Sequence, residues 1–200
     1  DRGAAQGLKQ AGVYAQQVNA ALQQYESWGQ ARIANQGKVR AWWAGRTKAY
    51  SACLARIEPL AEAKVPSWRW QSCVLDIEND AYDRGQALKA TQELAAQGAE
   101  QLTRLNTMID HGQTKIEKAG LRLRAVCPST PHPKRCNAIW EEWQVQGPGM
   151  IAPGSIAAFR ALAPQVGQAL RTDVDMAMAS NTKLDEIAKQ VHQIYRQVGN

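Results

Sequence analysis

EPLAEAKVPSWRW, residues 58–70, holds the first two prolines of the chain and separates two long stretches that hold none, residues 1–58 and 67–127. A proline in a helix interior removes a donor and clashes with the preceding turn, so Pro59 and Pro66 mark a break. The break is short enough to fold its two neighbours back on each other as an antiparallel hairpin. The expected bundle turns on this segment.

Outward from it, both proline-free stretches carry helical stripes. Alternate steps of three and four residues visit Leu8, Ala11, Ala15, Val18, Leu22 and Tyr25, then Val39, Trp43, Tyr50, Cys53 and Ile57, with the pattern weakest around Gly29, Arg32 and Gln36. On the other side the same steps reach Val74, Ile77, Ala81, Leu88, Ala95, Gly98, Leu102, Leu105, Ile109, Gly112, Ile116, Ala119, Leu123 and Val126. Small residues recur on this stripe, which lets neighbouring helices approach closely. Helix 1 is expected over about 3–58, a tip loop over 59–72, and helix 2 over about 73–126, each helix roughly 75 to 85 Å long. With Cys53 opposite Cys73, the hairpin places Lys48 near Glu78, Arg46 near Asp80, Arg32 near Glu93 and Lys9 near Glu117, whereas Glu26 falls opposite Glu100.

Beyond Cys127 the chain reads as a loop appendage over 127–153, with a short helical patch at NAIWEEW and then QGPGMIAPG, whose glycines and prolines oppose regular structure. A third stripe runs from Ile156 through Phe159, Val166, Leu170, Ala177, Leu184, Ile187, Val191, Ile194 and Val198. It predicts helix 3 over about 155–198, broken near Pro164, with a second break near Ser180 where Thr182 and Asp185 have capping-box spacing. The expectation is an all-α single domain over 1–200: a long antiparallel three-helix, coiled-coil-like bundle with a small disulfide-closed loop appendage beside the N-terminus.

Cys53 and Cys73 bracket the tip, and Cys127 and Cys136 close CPSTPHPKRC. A helix of roughly 80 Å separates the two pairs, which leaves each cysteine one partner within bonding distance. Paired cysteines spanning turns are the product of an oxidising compartment. The rival is zinc held by Cys127, His132 and Cys136, but a structural site wants four ligands and the C-x2-C spacing is missing. The disulfides are therefore favoured over zinc and over free buried thiols, and with them export to the periplasm or beyond. A chain starting at Asp1 fits a removed signal peptide, and no apolar run approaches the ~20 residues a bilayer needs.

Catalytic and cofactor motifs are missing. His111, His132 and His192 are scattered, no Walker or G-x-S-x-G motif occurs, and Glu141 and Glu142, between Trp140 and Trp143, are adjacent on a helix and point apart. The expectation is a protein with no enzymatic activity, cofactor or metal. Net charge is +6, and Arg32, Lys38, Arg40, Arg46, Lys48 and Arg56 form a stretch without acids, interleaved with Trp42, Trp43 and Tyr50. Such a pattern can bind nucleic acid. Pairing with the second helix and burial of the aromatics account for it more simply, so nucleic acid is disfavoured as a partner. Trp68, Arg69 and Trp70 in the tip are the candidate partner-binding residues, because tryptophans far from the broad core are costly to expose and typical of contact hot spots.

YAQQVNAALQQYESWGQARIANQ, residues 14–36, resembles the Gln-rich first helix of minor pilus proteins of type IV secretion and conjugation systems, including the TrbJ group. The resemblance implies an exported chain of three long helices and a small appendage, acting in assembly or adhesion at a pilus tip. The functional expectation is thus a structural or assembly component of a bacterial envelope apparatus, with protein partners or a homo-oligomer. The rivals are a periplasmic inhibitor or immunity protein and a basic nucleic-acid-binding coiled coil.

Overall fold

The computed structural model describes residues 2–198 and is all-α. Its helices are α1 (Arg2–Ala34), α2 (Gln36–Glu62), α3 (Gln71–Val126), α4 (Pro133–Gln146) and α5 (Pro153–Val198), with single 3-10 turns at Ser67–Arg69, Cys127–Ser129 and Gly147–Gly149. The three long helical segments pack as an antiparallel bundle, and both disulfides are formed, Cys53 to Cys73 and Cys127 to Cys136. Among these residues no helix is long and apolar enough to cross a membrane.

Several expected boundaries move, each for a local reason. The first helix is interrupted at Asn35, where the stripe was weakest. Pro59 does not end the helix: α2 runs through it to Glu62, so the tip loop is shorter than 59–72. The carbonyl that Pro59 deprives of its donor belongs to Ala55, on a solvent-facing side where water can satisfy it. α5 likewise runs unbroken past Pro164, whose counterpart Arg160 is also exposed. The break expected near Ser180 is absent too, since the Thr182 hydroxyl donates to the Met178 carbonyl one turn back instead of capping a new helix. In the appendage α4 has 14 residues, twice the patch expected.

Where one domain was expected, the chain divides into two compact units, Asp1–Ala31 with Ala99–Val166 and Arg32–Gly98 with Gly167–Asn200. A helical residue touches only what lies within about a turn of it, so a helix of 56 residues contributes to two cores.

In the first unit α1 buries Ala4, Ala11, Ala15, Val18, Leu22 and Tyr25 against Leu105, Ile109, Ile116 and Leu123 of α3 and Ile156, Phe159 and Val166 of α5. The rings of Tyr25 and Phe159 meet edge to face at 5.2 Å. The small residues serve close approach, as their spacing implied. A Cβ on Gly112 would lie 2.6 Å from Ile151 and 3.3 Å from Tyr14, which also keeps the expected hairpin register in this unit. The segment QGPGMIAPG is ordered by Asn19, which donates to the Met150 carbonyl (2.8 Å) and accepts from the Ala152 amide (2.9 Å). Pro153 then opens α5 at a position where its missing N–H costs nothing. The Cys127–Cys136 loop packs on Ala4, Leu123 and Trp140, beside the start of α1 as expected.

In the second unit Trp43, Tyr50, Cys53 and Ile57 of α2 pack with Val74 and Ile77 of α3 and Ala177, Leu184, Ile187 and Val191 of α5. Arg46 meets Asp80 at 3.2 Å, the expected register, while Glu78 pairs with His192 of α5 at 3.2 Å. Chain-entropy arithmetic for a disulfide closing about 20 residues gives ~3 kcal/mol. Replacing Cys53 and Cys73 together by serine is therefore expected to cost about that much, read as a lower urea midpoint with a somewhat steeper slope, because the unfolded chain without the cross-link exposes more surface.

Two charged residues occupy buried positions that the apolar stripes pass over. Ala81 is exposed, and the inward place in that part of α3 belongs to Arg84, 4 % exposed. Asp173 is buried on α5 with one carboxylate oxygen unpartnered among the described residues. Burial pushes its carboxyl above the ordinary 3.8, against the opposing charge of Arg40 and a hydrogen bond from Gln36. A raised carboxyl in the folded state means stability that is full below 3.8 and lost as pH rises. Asp173→Asn is therefore expected to be more stable than wild type at neutral pH, with the advantage vanishing below 3.8; urea titrations on both sides of that value check it.

Candidate functional site

The tip is built from the end of α2. The Val65 amide donates to the Leu60 carbonyl and the Lys64 amide to that of Ala61, both at 3.0 Å, with Lys64 in the left-handed region at φ 54°. This is a Schellman cap with lysine where glycine is usual. Pro66 follows, the 3-10 turn Ser67–Arg69 reverses the chain, and the Cys53–Cys73 bond, with Cα atoms 5.8 Å apart, ties the two sides together.

The three expected partner-binding residues separate. Trp70 is 1 % exposed: its indole Nε1 donates to the Val65 carbonyl at 3.0 Å and its ring meets Tyr195 edge to face. It closes the end of the core and is removed from the candidate site. Trp68 is 68 % exposed, and the Arg69 guanidinium lies 5.3 Å from its ring centre. On the outer face of α3, Leu75 and Tyr82, seven residues apart and hence on one side of the helix, are exposed as well.

The basic stretch is largely absorbed into the second unit. Trp43 and Tyr50 are core; Arg46 pairs with Asp80 and stacks on Trp42 at 4.6 Å; Arg40 faces Asp173. The histidines stay apart, with His111 against Tyr14 and His192 on Glu78. Among the described residues no cluster of three or more His, Cys, Asp or Glu could hold a metal, and the disulfide occupies both thiols of the zinc alternative.

A second feature was not foreseen. In the first unit α4 and the turn after it leave a cleft of about 460 Å³ against α3, lined by Ile116, Gly120, Leu121, Trp140, Trp143 and Pro148, with Glu117 at its side. Trp143 is fixed by donating Nε1 to the Ile116 carbonyl at 2.9 Å, and a Cβ on Gly120 would sit 2.9 Å from its ring. The missing side chain at Gly120 is what lets the indole approach α3 this closely. The signal in the sequence was this glycine at a buried helical position, which needs a large neighbour, together with two tryptophans that drew attention only as flanks of Glu141 and Glu142.

The comparisons with known proteins return no match: no family model, no curated protein and no solved structure matches the chain.

Proposed function

We propose that this is a non-enzymatic, exported helical protein that acts through protein–protein contacts, as a structural or assembly component of a bacterial envelope secretion or conjugation apparatus. The observation that carries the reading is the split between the tip tryptophans: Trp70 anchors the core while Trp68, on the same disulfide-tied turn, faces solvent. A large apolar ring presented outward from a turn that a disulfide ties down is the kind of residue that dominates an interface. Two disulfides support an oxidising compartment. Alkylation under non-reducing, denaturing conditions of protein taken from its native compartment is expected to modify none of the four cysteines; four alkylated thiols would overturn export.

Trp68→Ala tests the tip. It is expected to weaken partner binding or assembly by ~30-fold or more, with the urea midpoint unchanged because the side chain is 68 % exposed. Assembly at the wild-type level would remove the tip from the function.

A further inference from the structure

We infer that the tip recognises a second copy of this chain: Trp68 of one molecule seats in the α3–α4 cleft of the next, with Arg69 paired to Glu117. This rests on the reading of the tip as a contact surface and names its partner. The cleft volume of about 460 Å³ lies within the range of sites that enclose a compact ligand. It is preformed, since Trp143 is held by its bond to the Ile116 carbonyl and by the missing side chain at Gly120. Its walls, Trp140 and Trp143 against Ile116 and Leu121, offer an indole both edge-to-face and aliphatic contact.

Charge selects the same occupant. Glu117 is the one charged residue among those lining the cleft. The tip loop, residues 63–70, contains Lys64 and Arg69 and no acid.

Because tip and cleft are different surfaces, the contact is heterologous: each bound copy still offers one free tip and one free cleft, and association continues beyond a dimer. A contact of this size is weak, with dissociation in the micromolar range or above.

Sedimentation velocity of the oxidised full chain, up to concentrations on the order of 100 µM, tests it with two variants at exposed positions, Trp68→Ala and Glu117→Arg. Wild type is expected to form species larger than a dimer, and each variant alone to remain monomeric. A mixture of the two is expected to yield a one-to-one heterodimer and nothing larger, because the first retains only its cleft and the second only its tip. The double variant R69E/E117R is expected to associate again. A wild type that stays monomeric, a mixture that stays monomeric, or variants that associate like wild type would each overturn the inference. A photocrosslinker at position 68 in the native compartment separates this failure from that of the functional reading. Crosslinks solely to other proteins reject self-docking and leave the tip a contact surface; no crosslinks reject both.

Discussion

Replacing Trp70 by alanine is expected to destabilise the protein by about 3–5 kcal/mol, the range for removing a fully buried large aromatic side chain. Three losses coincide. The indole leaves a cavity in the cluster it shares with Ile57, Val74 and Val191. The Val65 carbonyl loses its donor, and Tyr195 loses its ring contact. Trp68→Ala, two residues away, is expected to change stability by less than about 0.5 kcal/mol, as exposed substitutions do. Urea unfolding of the two variants side by side reads the contrast directly. Comparable losses in both would mean that Trp68 is packed, and would end its role as an outward-facing contact.

Arg84→Ala is the second large effect, expected at about 2–5 kcal/mol, the range for truncating a long buried side chain to alanine and leaving a cavity. The Arg84 Nε donates to the Tyr50 hydroxyl at 2.9 Å, and Nη1 donates to Asp185 at 2.8 Å and to the Asn181 side chain. Tyr50 in turn donates to Asp80 at 2.7 Å, and Arg46 closes the chain on Asp80. Residues of α2, α3 and α5 are thereby joined through one guanidinium. Burial opposes the charge of Arg84, but its hydrogen bond to Asp185 and its contacts with Tyr50 outweigh that and hold the group above its ordinary value. Burial, together with the bond to Asp80, pushes the Tyr50 hydroxyl up to about 12, so it remains a donor at neutral pH. Arg84→Met is expected to stay within about 1 kcal/mol of wild type, because an apolar side chain of similar volume can replace a buried ionic group. Asp185, about half exposed, recovers water, and Tyr50 keeps Asp80. Methionine as damaging as alanine would show that the charge, and not the filled volume, holds this part of the bundle together.

Much of the architecture was legible because helices bury residues at fixed intervals and the chain keeps that interval for long stretches. Val18, Ile57, Val74, Leu105, Leu184 and Val191 all lie on the stripes and all are buried. The cysteine pairing followed from distance along a helix, and the Arg46–Asp80 contact followed from the pairing. Less legible were the prolines. Pro59 and Pro164 sit on exposed faces, where a carbonyl without its donor is hydrated at little cost, and the sequence rule that a proline ends a helix does not know which face that is. Arg84 and Asp173 were missed for the opposite reason: a period search skips a charged residue at a core position, and the partners that accommodate it, Tyr50 and Asp185 for Arg84 and Arg40 and Gln36 for Asp173, are distant in the chain.

The candidate site divides along the same line. Periodicity, proline placement and cysteine spacing are local properties, and they were enough to settle the three long helices, the hairpin, its register and the existence of a tryptophan-bearing tip. Which tip tryptophan faces inward depends on what the end of α5 presents to it, and Tyr195 and Val65 take Trp70. Whether Trp140 and Trp143 make a cleft depends on a glycine 23 residues before Trp143 having no side chain to fill it. Burial is a property of the neighbours that the fold brings to a residue, and those neighbours are set only when the helices are side by side.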